Sequence, residues 1–436
     1  MNVATEKQSL SQELIASRGL SQITGTSASR EKAFEAFKAI GLPEGKHEEY
    51  RFTPIAKLLA KTFKAEELYT KPAAASHDVS GLVPEGLPGN CIVFVNGVFS
   101  QSLSKLSGNS QVVIKPFAEA LEGHGQVIGK SRDEIAENND PFALLNTALW
   151  QDGLFIHVPD NTTGEGPLHI FHLHDATEGK VASHTRLMVV VGKHAEFSII
   201  ERTASTGPHT VFNTINEEIL VDENAAFSYC KIQNDSGDLI HVGNTTVHQK
   251  DSSRADTYTV TLNGKLIRNN LNIIIDGEGC ESHFYGLYLT EGDTLADNHT
   301  TVDHRKPNSF SNELYKGLMD GKSKGVFNGK IYVRPHAQKT NAFQSNRNIL
   351  LSDTATINTK PQLEIWADDV KCSHGCTTGQ LDKEALFYLQ SRGIPKDIAK
   401  GMLLYAFAGE VINAIKDGQV RDYVDSVISE RLHKSY

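Results

Sequence analysis

From Cys91 to about Ala367 the chain runs in short stretches rich in Val, Ile, Thr, Phe and Tyr, for example 91–99, 186–191 and 271–275. Turn dipeptides separate them: Asn96-Gly97, Asn263-Gly264, Asp276-Gly277 and Asn328-Gly329. After roughly Trp150 no amphipathic helix of crossover length comes between the runs, which excludes a doubly wound α/β fold. Roughly 270 residues of strands are too many for one small sandwich. A large sandwich, a propeller or a solenoid remains, and the parallel β-helix is favoured, although no fixed-period repeat is visible. The 35 glycines against 14 prolines suit a protein with many corners that need positive φ.

The ends read differently. From about Gln8 to Tyr69 the pattern is helical, with Ala33, Phe34, Phe37 and Ile40 at spacings of three and four and Gly41 and Pro43 closing the run. An Ala, Ser, Gly and Pro-rich stretch at 73–88 reads as a linker, so 1–88 forms a helical N-terminal domain with its linker and 89–379 the β-helix core. Helical periodicity returns in 380–436. There Asp382 is placed as an N-cap, and Val420, Tyr423, Val424, Val427, Ile428 and Leu432 form one stripe. The helix before it is apolar over a wider arc, including Ile398, Met402, Leu404, Tyr405, Phe407 and Val411, and is expected to pack on two sides. A net charge of −10 argues against a nucleic-acid surface. The polar N-terminus lacks a signal pattern or a membrane-length apolar run, so a cytoplasmic protein with no membrane partner is expected. Five scattered cysteines are then free thiols.

The most specific chemical cluster is Cys372-Ser373-His374-Gly375-Cys376. Two soft thiolates and an imidazole can hold iron or zinc, and an extended backbone would put 372, 374 and 376 on one face. Three donors fall short of the usual four, so a metal here would be incompletely held or shared with a second chain; the alternative is a pair of reduced, buried cysteines beside a hydrogen-bonded histidine. His169, His172, His174 and His184 read instead as a solvated strand face, with His169 pointing away from His172 and His174. The stretch 317–323 is one residue short of a phosphate-binding loop and does not lie between strand and helix, so no ATP is expected on this chain. Asp293, Asp297, Asp303 and His304 leave open a β-helix carbohydrate-active enzyme working through paired carboxylates.

The stretch Asn341-Ala342-Phe343-Gln344-Ser345-Asn346-Arg347-Asn348-Ile349-Leu350-Leu351-Ser352 is followed by Lys360-Pro361-Gln362-Leu363-Glu364-Ile365 and Ala367-Asp368-Asp369-Val370-Lys371-Cys372-Ser373-His374-Gly375. Together they resemble the signature region of the SufB/SufD family. Tyr315-Lys316-Gly317, Val326-Phe327-Asn328-Gly329-Lys330 and Phe387-Tyr388-Leu389 extend the likeness over the last third of the chain. Ser373 and Gly375 beside the histidine, the lack of a cysteine in 344–348 and the motif Glu48-Glu49-Tyr50-Arg51-Phe52-Thr53 resemble the D-type branch, whereas Cys376 departs from it.

The resemblance implies a mainly β protein, a right-handed parallel β-helix flanked by N-terminal and C-terminal α-helical domains. It also implies a non-catalytic subunit of an iron-sulfur cluster assembly scaffold. Such a subunit pairs with SufB through the β-helix and with the ATPase SufC through the C-terminal helices. Cys372 and His374, with Cys376 in an unassigned role, would hold a transient iron-sulfur cluster or iron shared with SufB, and reduced flavin could serve the complex. A homo-oligomeric iron-sulfur carrier is the other alternative, and a homodimer in isolation fits either reading.

Overall fold

The computed structural model describes residues 9–17, 27–44, 47–72, 75, 77–83, 90–106, 111–135, 139–235 and 237–434. From Asp152–Val158 onward, successive strands alternate between a nine-stranded and a ten-stranded sheet, and each pairs in parallel with the strand two along, giving a parallel β-solenoid. Near its start the pairings within 91–99 and between Val113–Pro116 and Asp152–Val158 are antiparallel. The length of a coil varies. Ile240 lies opposite Leu266, 26 residues on, whereas Lys324 lies opposite Thr356, 32 residues on.

One corner is nonetheless constant. His194, Asn224, Ser252, Gly279, Asn308 and Lys339 all adopt φ between 55° and 70°. Each donates its N–H to a carbonyl one coil further on, from Glu223 for His194 to Asp369 for Lys339. Left-handed corners thus stack into a ridge although glycine fills only one of them.

Inside, the nine-stranded sheet contributes an in-register ladder of Val189, Ile219, Val247, Ile273, Val302, Ile331 and Leu363. β-Branched side chains suit such stacking on a pleated surface. The facing sheet interleaves tyrosine with glycine: Gly286 pairs with Tyr315, and Tyr288 with Gly317. A Cβ on Gly286 would stand 2.1 Å from the buried Tyr315 ring. Gly286→Ala is therefore expected to destabilise the protein by about 1–3 kcal/mol, read as a lower urea midpoint with an unchanged slope.

The N-terminal helices α1 (Leu10–Ala16), α2 (Ala28–Ile40), α3 (Ile55–Thr62) and α4 (Ala65–Tyr69) pack with Phe212, Ile240, Val242, Leu266 and Leu295 on the outside of the nine-stranded sheet. Ala33, Phe34 and Phe37 are buried as expected, while Ile40 is exposed, because Gly41 at φ 65° ends the helix beside it. The expected linker at 73–88 falls largely outside the described residues.

Two further helices, α5 (Phe117–Glu134) and α6 (Pro141–Leu149), lie inside the span expected to be β-helix. Asp140 caps α6 by accepting from the Phe142 and Ala143 amides, and Pro141 starts it. With Phe142, Leu144, Leu145, Asn146 and Leu149 all buried, α6 shows no polar face by which its period could be read.

The last strand, Lys371–Gly379, leads into α7 (Lys383–Ser391), α8 (Lys396–Ile412) and α9 (Gly418–Lys434). Leu404, Ala408, Val411 and Ile412 of α8 and Val420, Val424, Ile428 and Leu432 of α9 pack with Cys230, Ile232, Tyr258 and Leu287 on the outside of the ten-stranded sheet. No helix among the described residues is long and apolar enough to cross a membrane.

Candidate functional site at the open end of the solenoid

The strand Lys371–Gly379 is the outermost of its sheet, and Thr356–Ile365 is the outermost of the other. Each has a neighbour on one side only, so a rim of unpaired backbone N–H and C=O groups closes the solenoid at this end. Cys372, His374 and Cys376 pair with Ala342, Gln344 and Asn346, which are buried in the solenoid interior. All three therefore lie on the inward face of the last coil, as alternation along an extended strand requires. Cys372 is half-buried and packs on the apolar core; His374 and Cys376 are exposed.

The common face does not make a common point. Alternate residues of a strand are about 6.6 Å apart, so Cys372 and His374 can reach one ion, but about 13 Å separates Cys372 from Cys376. Among the described residues no group of three His, Cys, Asp or Glu side chains is arranged to hold a metal. Burial pushes the Cys372 thiol up, which favours the protonated form at neutral pH. Burial pushes the Cys91, Cys230 and Cys280 thiols up as well, Cys230 to about 12, which suits unreactive buried thiols. All five cysteines are free.

The other candidates resolve into structure. The strand Leu168–Asp175 is buried on both faces, which corrects the solvated reading of its histidines: His172 and His174 lie inside the solenoid and His169 on its outer face, so they do point apart as expected. His184 is held by Thr214 and the Leu68 carbonyl under α4. Residues 317–323 run from strand to turn to strand, with no helix to receive a phosphate. Asp297 is fully buried against Arg268 at 2.7 Å, and Asp303 is paired with Arg305 and Arg334.

Much of the quoted signature is architectural. Tyr288 donates to Asn348, whose amide donates to Asn346, and Asn346 reaches back to Tyr288 and the Tyr315 carbonyl. On the outer face Lys316 donates to the Phe407 carbonyl at 2.9 Å, and Lys316 and Arg347 both meet Glu410, holding α8 to the sheet. The motif at 48–53 is a clasp for the N-terminal helices. Glu48 meets Lys360; Glu49 meets Lys330 and His299; the Tyr50 ring lies 3.8 Å from Arg268; and Thr53 donates to Asp297.

The chain is thus a parallel β-solenoid that ends in an edge strand, paired on one side only, with the Cys372 thiol and the His374 imidazole on its inward face. The family model for the "SUF system FeS cluster assembly, SufBD core domain" matches residues 172–407, more than half of the chain, and that for the "SufBD protein N-terminal region" matches 11–170. The chain is 33% identical over 420 residues, 93% of its length and 92% of the relative's, to an iron-sulfur cluster assembly SufBD family protein of Synechocystis. It is 30% identical over 398 residues, 90% of both chains, to the iron-sulfur cluster assembly protein SufD of Escherichia coli. SufD of Bacillus subtilis is 27% identical over 76% of both chains. The chain belongs to the SufBD family of iron-sulfur cluster assembly proteins.

Proposed function

We propose that this chain is a non-catalytic, cytoplasmic subunit of a SufBCD-type scaffold, in which Cys372 and His374 offer two of the ligands that receive iron and sulfide as a cluster is built. The observation that carries this reading is the placement of that thiol and imidazole on a terminal strand whose outer edge is unpaired. The same rim can accept the edge of a second chain by strand addition, which would bring the missing ligands. SufB is the proposed partner there, and a second copy of this chain would use the same edge in isolation. Iron is the cargo, taken from solution and passed on. Cys376, exposed and beyond reach of an ion at Cys372, has no assigned ligand role. Reduced flavin belongs in this proposal to the assembled complex.

The C-terminal helices support a second contact. The outer face of α7 and α8 exposes Phe387 (72%), Tyr388 (57%) and Ile398 (57%), with Met402 and Tyr405 beside them. Apolar side chains so exposed on adjacent helices mark a docking surface, and the ATPase SufC is the proposed occupant. Phe387→Glu combined with Met402→Glu is expected to abolish co-purification with SufC while leaving thermal stability unchanged, since neither side chain is buried. Retention of SufC by that variant would remove this part of the proposal. Anaerobic co-purification of the wild-type chain with SufB and SufC tests the whole of it, and an isolated chain with no such partners would overturn it.

A further inference from the structure

The inward face of the strand Asn341–Leu350 offers four side chains to the last coil: Ala342, Gln344, Asn346 and Asn348. Asn346 and Asn348 are used up by the network around Tyr288, and Ala342 has nothing to offer. Gln344 differs. Its Nε2 donates to Glu313 at 2.8 Å, which fixes the orientation of the amide and turns Oε1 the other way. That Oε1 is buried and has no hydrogen-bond partner. The amide is seated by Gly329 on the facing sheet, where a Cβ would stand 2.3 Å from Gln344 Nε2. A buried acceptor left unpaired costs about 1–3 kcal/mol, so the seat calls for a donor.

The residue in register with Gln344, on the same inward face, is His374. We propose that Gln344 is a positioning residue: its Oε1 accepts the N–H of the His374 imidazole, locks one neutral tautomer and aims the other ring nitrogen at the metal bound beside Cys372. Glu313 and Gln344 are then the outer shell that orients His374 as a ligand. This rests on His374 being a ligand, but the orienting contact can be tested without any metal.

The experiment uses the full chain labelled with 15N-histidine at pH 8 and reads the His374 tautomer from long-range nitrogen–proton correlations. His374→Ala identifies the signal. The wild type is expected to show a single tautomer. Gln344→Met, which keeps the volume and removes the amide, should return the averaged signals of a free imidazole, and Gln344→Glu, which restores an acceptor, should recover part of the lock. Averaged signals in the wild type overturn the proposal whether or not the variants fold. So does a tautomer in folded Gln344→Met that matches the wild type. A Co2+ titration then separates the two readings: Gln344→Met should weaken binding by about tenfold or more, with no further loss in the His374→Ala background. A locked tautomer with Co2+ affinity indifferent to His374→Ala supports the orienting contact and overturns the ligand assignment.

Discussion

Asp297→Ala is expected to destabilise the protein by about 3–5 kcal/mol, because it leaves the buried Arg268 guanidinium without its carboxylate. Arg268 is held on Asp297 at 2.7 Å, against Asn270 at 3.0 Å and on the Tyr50 ring, at the junction between the solenoid and the segment that enters α3. Removing one partner strands a charge, whereas removing both exchanges a buried pair for apolar packing. The double variant Arg268→Met with Asp297→Leu should therefore be more stable than Asp297→Ala alone. Urea unfolding of the three proteins, compared by midpoint, checks the order.

The same junction sets the acid limit of the fold. Burial alone would raise the Asp297 carboxyl, but His299 and Arg268 hold it down at about 2. Glu49 is likewise held at about 2, chiefly by its hydrogen bond with His299, against burial and with help from Lys330. In the unfolded chain these groups titrate at about 3.9 and 4.3. Their folded values are lower, so their stabilisation is complete above about pH 5 and is lost as pH falls toward 2. Acid unfolding followed by circular dichroism should show a steeper loss in the wild type than in Asp297→Ala across that window.

The β character of the core and its helical ends were legible because alternation, turn dipeptides and helical stripes are local signals. The repeat was not. Its coil length drifts, and its constant corner is a backbone conformation shared by His194, Asn224, Ser252, Asn308 and Lys339, which no residue type marks. Helix α6 escaped because burial on every side erases its period. The inward histidines escaped for a related reason: whether His172 and His174 meet water or a core depends on neighbouring segments, Phe94 and Glu201 against His172 and Ser183 against His174. At the site, alternation correctly placed 372, 374 and 376 on one face, but the strand's rise keeps the outer two apart. Gln344 was visible only as part of the family motif; its proposed role needed the register that pairs it with His374.

The larger functional effect is expected at Cys372 and His374. In the proposed function each is one of two ligands on this chain, and among the described residues no third metal-binding side chain converges there to take its place. Loss of either should lower cluster yield by at least tenfold without unfolding the solenoid, because the last strand is largely exposed and its backbone pairing to Asn341–Leu350 does not depend on those side chains. Cys376→Ala should leave the yield near wild type. The most direct test is anaerobic iron and sulfide reconstitution of this chain in complex with SufB and SufC, followed by visible absorption. The account predicts a cluster chromophore in the wild type that is lost in Cys372→Ala and in His374→Ala; wild-type yields in both variants would contradict it.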